Sequence, residues 1–178
     1  MKVCSLMWAA EMIGLSMLGR VRAGKGLMPS LTDTEVDALH QALDDEYKAW
    51  TIYDQVVHDH GPARPFIRIV ESEARHIEAL RRLFTRYDVA IPHNPWPGRV
   101  PRFASVGEAC LAAVDAEVEN VDLYRRLMQS TTRSDILAVF ENLRQASQER
   151  HLPAFQRGAS REGRNRGPNP PAAVSRQR

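Results

Sequence analysis

Apolar side chains recur at steps of three and four residues through the middle of the chain, which is the period of an amphipathic α-helix. The first apolar stripe follows a capping box that begins at Thr32, and it ends before Gly61. Three further stripes begin near Pro65, Ser105 and Ser134. No segment shows the apolar–polar alternation of a half-buried strand. The pattern therefore predicts four helices and an all-α fold.

The connection between the second and third predicted helices is long and contains four prolines, in the stretch DVAIPHNPWPGRVPRFA at residues 88–104. The other two connections are short. A short–long–short order describes an antiparallel helix pair, a crossover and a second pair, which is the topology of ferritin-like four-helix bundles. We predict such a bundle over residues 31–157, with the long crossover between helices 2 and 3.

The chain is internally duplicated. The stretches SEARHIEAL, at 72–80, and SQERHLPAF, at 147–155, share Ser, Arg, His and Ala at matching positions. Glu46 is followed seven residues later by Tyr53, and Glu117 is followed at the same distance by Tyr124. Each half therefore consists of one helix with Glu-x6-Tyr and one helix with Ser-x3-His.

Each predicted helix carries an ionisable side chain in the middle of its apolar stripe; Glu46, for example, lies between Leu43 and Trp50. Burying an isolated carboxylate costs several kcal/mol, so buried carboxylates require either protons or cations. Carboxylates together with imidazoles are suitable ligands for Fe, Mn or Zn. The predicted metal ligands are Glu46, Glu73, His76, Glu117 and His151.

These residues lie in four segments, ALDDEYKAW, PFIRIVESEARHIEAL, ACLAAVDAEVENVDLY and ASQERHLPAF. Through them the stretch from Leu31 to Arg157 resembles a little-characterised ferritin-like domain family, a domain of unknown function within the rubrerythrin-like superfamily of di-iron carboxylate proteins. The resemblance implies a metal-binding bundle in which the five predicted ligands match the superfamily's ligand positions. It implies iron in two sites, with Mn or Zn as alternatives.

Gln148 departs from the superfamily's pattern because it stands where a second Glu-x-x-His glutamate is expected. A neutral amide is a poorer ligand than a carboxylate, so the second metal, near Glu117 and His151, is predicted to bind more weakly than the first. Gln148 is then a weak ligand or a neighbour of the ligands. Tyr53 and Tyr124 are predicted to donate hydrogen bonds to ligands or to relay electrons.

Three functions remain open. The protein is a di-iron redox enzyme with oxidase- or peroxidase-type activity, a metal-binding or storage bundle without turnover, or a structural bundle whose polar core fixes the helix register. Cys4 and Cys110 form no CxxC pair, so a redox enzyme needs a separate electron-donor protein. A homodimer is compatible with the sequence.

The remaining polar residues receive structural interpretations. Arg75 and Arg150 are predicted to cover the bundle surface or to pair with acids there. Pro153 removes a backbone donor and is predicted to kink or end the fourth helix just after His151. Five acids are predicted on solvated helix faces: Asp44, Asp45, Asp115, Glu119 and Asp122.

Charge is distributed unevenly along the chain. The net charge is +2, but residues 1–26 carry +3 and residues 157–178 carry +5, which leaves −6 for the region between them. An acidic core argues against nucleic-acid binding by the core domain.

The two ends are predicted to lie outside the bundle. Residues 1–30 are predicted to be an N-terminal extension, either a weak signal-like segment or an over-extended start with Met28 as the true first residue. Glu11 interrupts its short apolar run, so no membrane span is predicted. Residues 158–178 are rich in Gly, Pro and Arg and are predicted to be a disordered basic tail. The predicted location is cytoplasmic, with export by an atypical N-terminal signal as the alternative.

Overall fold

The computed structural model describes residues 30–165. Within this range the structure is helical, with no strand, and the predicted all-α class is confirmed. No helix in the range is both long and apolar enough to cross a membrane. The elements are α1 (Asp33–His60), α2 (Phe66–Arg86), α3 (Val106–Leu127), a 3₁₀ turn (Met128–Ser130), α4 (Ser134–Ala146), a π-helical turn (Ser147–His151) and α5 (Leu152–Asn165).

The start of α1 is fixed by the predicted capping box. The Thr32 hydroxyl accepts a hydrogen bond from the Glu35 N–H, and the Glu35 carboxylate accepts one from the Thr32 N–H. Glu35 also accepts hydrogen bonds from Thr131 and Arg133, which ties the start of α1 to the connection before α4. Gly61, with φ of 78°, ends the helix in a conformation that residues with a side chain rarely adopt.

The helices pack in two groups, α1 against α2, and α3 against α4 and α5. The apolar core forms two separate layers. One layer, at the end of the bundle where α1 begins, includes Leu39, Phe84 and Phe140; the other, at the opposite end, includes Phe66 and Phe155. The predicted metal ligands lie between these two apolar layers.

The proline-rich connection from α2 to α3 runs along α1. The Tyr47 hydroxyl donates to the Pro92 carbonyl over 3.2 Å, and further along the segment the Phe103 carbonyl lies 3.0 Å from Nε2 of His60, at the last residue of α1. The connection thus carries the chain from the middle of α1 to its far end. It places the start of α3 beside the end of α1.

Of the two effects predicted for Pro153, an end of the helix is not observed, and the predicted disorder of the tail is wrong for its first residues. The helical backbone does not stop after His151, and it continues through Asn165, so the part of the predicted disordered tail before residue 166 is helical. Pro153 is tolerated because the π-helical turn just before it already departs from regular α-helical hydrogen bonding. The apolar face of α5, including the fully buried Phe155, packs onto the core. Residues 166–178, and residues 1–29 of the predicted extension, lie outside the described residues.

Gly158 marks the close approach of α5 to α3. A Cβ at this position would lie 2.6 Å from Sγ of the buried Cys110 and 3.3 Å from Cδ of Pro65. We expect Gly158→Ala to lower the free energy of unfolding by about 1–2 kcal/mol, because the clash outweighs the helix-propensity gain of about 1 kcal/mol. Urea denaturation monitored by circular dichroism measures this change.

The matched control is the same substitution in a Cys110→Ala background, where the sulfur that causes the clash is gone. In that background Gly158→Ala should leave the free energy of unfolding unchanged or raise it. A double-mutant cycle measures this difference between the two backgrounds. Equal effects of Gly158→Ala in both backgrounds would contradict the close packing of α5 on α3.

Candidate metal centre

The five side chains predicted as ligands converge in the middle of the bundle, and each is at most 9% exposed. They form two groups, in each of which the potential ligand atoms lie within 4.8 Å of one another. Glu73 belongs to both groups. The groups are Glu46–Glu73–His76 and Glu73–Glu117–His151.

Glu73 lies between the two histidines. Its Oε2 is 2.7 Å from Nδ1 of His76, and its Oε1 is 3.0 Å from Nδ1 of His151. Nδ1 of His76 is also 3.1 Å from Oε2 of Glu46. The two imidazole rings are stacked, with their centroids 5.4 Å apart and their planes 21° apart. The arrangement lets a single carboxylate serve both histidine sites.

Nδ1 of His151 is buried and makes no hydrogen bond in the described part of the chain. It lies 3.0 Å from a Glu73 oxygen and 3.5 Å from a Glu117 oxygen, close enough for ion pairs, but its geometry towards neither oxygen is that of a hydrogen bond. An unsatisfied buried nitrogen costs about 1–3 kcal/mol. A cation placed between this nitrogen and the two carboxylates would satisfy all three groups. The residues present therefore fit a metal ion.

Protons partly neutralise the cluster when no metal is bound. Burial alone would lower the pKa of each histidine, but the carboxylates of Glu46 and Glu73 raise the pKa of His76 to about 10. In the same way, the carboxylates of Glu117 and Glu73 raise the pKa of His151 to about 9. Burial tends to raise the pKa of Glu73, but contact with His151 and His76 outweighs it and holds that pKa below its usual value. Burial, with the nearby charge of Glu73, raises the pKa of Glu46.

Two buried tyrosines donate hydrogen bonds to the cluster. The hydroxyl of Tyr53 on α1 donates to Glu117 of α3 over 2.8 Å, and the hydroxyl of Tyr124 on α3 donates to Glu46 of α1 over 2.7 Å. Burial, followed by the neighbouring carboxylates, raises the pKa of both phenols, so both remain protonated donors. Each tyrosine thus orients the glutamate that belongs to the other half of the duplication.

Gln148 does not lie in the cluster, and its prediction as a weak ligand or a neighbour of the ligands is wrong. Its side chain is exposed and accepts a hydrogen bond from Arg144. The cause is the π-helical turn at Ser147–His151, which has more residues per turn than an α-helix. In that geometry Ser147, four residues before His151, is buried, and Gln148 is rotated to the surface.

Because Gln148 faces solvent, Gln148→Glu should leave the number of metal ions bound per chain unchanged. The expected change in metal affinity is less than about twofold, since the new carboxylate would lie beside Arg144 outside the cluster. Metal analysis of the wild-type and variant proteins after identical loading tests this. An additional metal ion per chain in the variant would show that the side chain reaches the centre.

A hydrogen-bonded chain that the sequence did not predict lies beside the cluster and ends at an acidic side chain. The Ser147 hydroxyl donates to Oδ1 of Asn120 over 2.7 Å, and the Asn120 amide donates to Oδ2 of Asp45 over 2.6 Å. Asp45 was predicted on a solvated face, but it is partly buried, and burial raises its pKa to about 7. Asn120 could have been predicted to point inwards, because it shares the apolar stripe of Glu117 and Tyr124.

A cavity of about 400 Å³ reaches the cluster between α1 and α3. Tyr53, Glu73 and Glu117 are among the residues that line it, and Ile52 and Phe103 contribute to its apolar wall. Other carboxylates on the lining belong to Asp45, Asp115 and Glu119. The cavity gives a small molecule or a cation access to the buried centre.

Comparisons with known proteins give a fold and no function. No protein-family model matches the chain. The chain also matches none of the curated proteins. One similar solved structure is that of hypothetical protein MJ0754 from Methanococcus jannaschii DSM 2661, at 21% sequence identity and a TM-score of 0.68. The match covers 76% of this chain and 85% of that chain, and at this identity it shows a shared fold only.

Proposed function

We propose that this protein is a ferritin-like metal protein that binds two ions, both iron or one iron and one manganese, and carries out oxidase- or peroxidase-type redox chemistry. One observation carries the proposal: the buried Glu73 carboxylate is shared between two Glu–His groups. A carboxylate placed between two imidazoles is suited to bridging two metal ions. Carboxylate and imidazole donors favour Fe and Mn over the softer metals that select thiolates.

The number of ligands favours reactive ions over purely structural ones. Each group supplies three ligand residues, one of which is shared. Structural zinc sites are closed by four protein ligands, whereas catalytic sites leave a position open to water or substrate. Three carboxylates also leave part of the charge of two divalent ions unbalanced. The proposed centre therefore has room for exogenous ligands.

The ferritin-like class is supported by the internal duplication and by the long connection that runs along α1 between the two helix pairs. The predicted resemblance to the rubrerythrin-like superfamily points the same way. Bundles of that class take a glutamate from each of two helices and Glu-x-x-His motifs from the other two. Here Glu46 and Glu117 are the glutamates from two of the helices, and Glu73 with His76 forms one Glu-x-x-His motif. His151 is the histidine of the other motif, but no glutamate lies three residues before it.

Bound iron would supply one-electron redox chemistry and an affinity for oxygen. The protein's own residues would orient and protect the centre. Tyr53 and Tyr124 fix the orientation of Glu117 and Glu46, and the two apolar core layers exclude water from above and below. The cavity between α1 and α3 would admit the substrate. Electrons would come from a separate donor protein.

A non-catalytic or structural bundle is the alternative, and one observation favours it. The raised pKa values of His76 and His151 keep both rings protonated at neutral pH, so the cluster is partly neutralised without any metal ion. A polar layer of this kind can fix the register of helices.

The deciding experiment has two stages. Metal analysis and a near-ultraviolet spectrum of protein purified without added metal establish what it retains, and anaerobic titration of the metal-free protein with Fe²⁺ gives the stoichiometry. We expect about two ions per chain, followed by oxygen consumption when air and a reductant are admitted. Binding without oxygen consumption would favour a storage role, and no binding would favour the structural bundle.

A further inference from the structure

A second cavity, of about 310 Å³, lies on the opposite side of the cluster, between α2 and α4. His76 forms part of its wall, so it adjoins the candidate metal centre. Its polar lining differs from that of the first cavity, where five carboxylates face a single lysine. Here no carboxylate lines the wall. The polar lining residues are Ser72, Arg75, His76, Asn142 and Arg150.

Arg75 and Arg150 reach this cavity because of the duplication. Each immediately precedes a histidine of the cluster, and those two histidine rings are stacked 5.4 Å apart. Both arginine side chains are exposed, and neither makes an ion pair or a side-chain hydrogen bond within residues 30–165. The predicted pairing with surface acids is therefore not observed. Two unpaired guanidinium groups face one cavity.

Ser72 and His76 add a further donor. Nδ1 of His76 faces the carboxylates, while its Nε2 lies 3.3 Å from the Ser72 hydroxyl oxygen. This contact holds the Ser72 hydroxyl on the cavity wall. Asn142 supplies an amide that can donate as well. The wall thus combines two cations with several hydrogen-bond donors.

We propose that this cavity is a binding site for a small oxoanion of the size of phosphate, held by Arg75 and Arg150. Guanidinium groups bind oxoanions through paired, charge-assisted hydrogen bonds, and two of them can hold one tetrahedral anion from two sides. Ser72 and Asn142 complete the donors around it. The site needs no metal ion, so it extends the proposed function without resting on it.

Isothermal titration calorimetry of the full chain, made metal-free with a chelator, with inorganic phosphate at low ionic strength tests the site. We expect one phosphate per chain, an affinity weakened about threefold to tenfold by Arg75→Gln or Arg150→Gln, and at least about tenfold by the double variant. Arg81→Gln, an exposed arginine on α2 that does not line the cavity, is the matched control and should leave the affinity unchanged.

Competition by sulfate, but not by chloride at equal ionic strength, would support an oxoanion site. The proposal is overturned if wild-type protein shows no saturable phosphate binding, or if Arg81→Gln weakens binding as much as the cavity variants do. Since the assay uses metal-free protein, its failure would leave the metal proposal intact. Failure of metal binding would equally leave the anion site intact.

Discussion

The Glu73→Gln variant is expected to lose both metal ions, with the affinity for each weakened by more than about 100-fold. Loss of an outer partner of a metal ligand already costs about 10–100-fold, and Glu73 would itself be a ligand to both ions. The amide keeps the size of the side chain but removes the charge, and it cannot offer two equivalent oxygens to His76 and His151. Metal content after loading with Fe²⁺ or Mn²⁺ and gel filtration gives the result.

Two kinds of variant make this test specific. Glu78→Gln removes an exposed carboxylate from the same helix, where it pairs with Arg82 at 3.9 Å, and should bind metal as the wild type does. Glu46 and Glu117 each belong to one group only. Glu46→Gln and Glu117→Gln should therefore each weaken the binding of one ion more than that of the other. Retention of two ions by Glu73→Gln would rule out the shared carboxylate and with it the two-metal centre.

The metal-free protein is expected to lose several kcal/mol of stability as the pH rises from about 6.5 to about 10. Folding raises the pKa of His76 to about 10 and that of His151 to about 9, from a value of 6.5. The folded state therefore binds more protons than the unfolded state over this range, and stability falls with pH at about 1.4 kcal/mol per unit for each fully titrating group. The stabilisation is complete below pH 6.5 and is lost as the pH passes the folded pKa values.

Asp45 acts in the same direction at lower pH. Its pKa rises from 3.8 to about 7 on folding, so its burial destabilises the folded state progressively as the pH rises through that interval. Urea denaturation of the metal-free protein at a series of pH values measures the combined slope.

Metal-loaded protein should show the opposite trend. A proton must leave each histidine before its Nδ1 can coordinate a metal ion, so metal affinity should rise with pH and loading at pH 7 should release protons. Calorimetry in buffers of different ionisation enthalpy counts those protons. A flat stability profile between pH 6.5 and 10 in the metal-free protein would show that the histidines are not held protonated by the carboxylates.

Sequence periodicity predicted the helical fold because each helix buries one apolar stripe, and α1 and α3 also begin at side-chain caps, Thr32 and Ser105. The capping box at Thr32 and the glycine at 61 fix the ends of α1 as expected. The last helix was harder to predict because its course depends on packing. Phe155 anchors α5 to the core, and the π-helical turn before Pro153 leaves no mark in the hydrophobic pattern.

The five candidate ligands were predictable because a charge in the middle of an apolar stripe must be directed inwards. Their convergence follows from placing that charge at the same depth in each helix. The error at Gln148 came from applying the α-helical period to a π-helical turn, which shifts the register by part of a turn. Asn120 and Ser147 were missed because neutral polar residues on an apolar stripe are common and carry no charge that demands a partner.

The crossed hydrogen bonds of the two tyrosines have a consequence for how the molecule tolerates change. Tyr53 reaches the glutamate of the second half and Tyr124 reaches the glutamate of the first, so neither half contains a complete environment for its own acid. A substitution at either tyrosine therefore removes a hydrogen bond from the glutamate of the opposite half. The two repeats therefore depend on each other within one chain, as the two subunits of a symmetric dimer do.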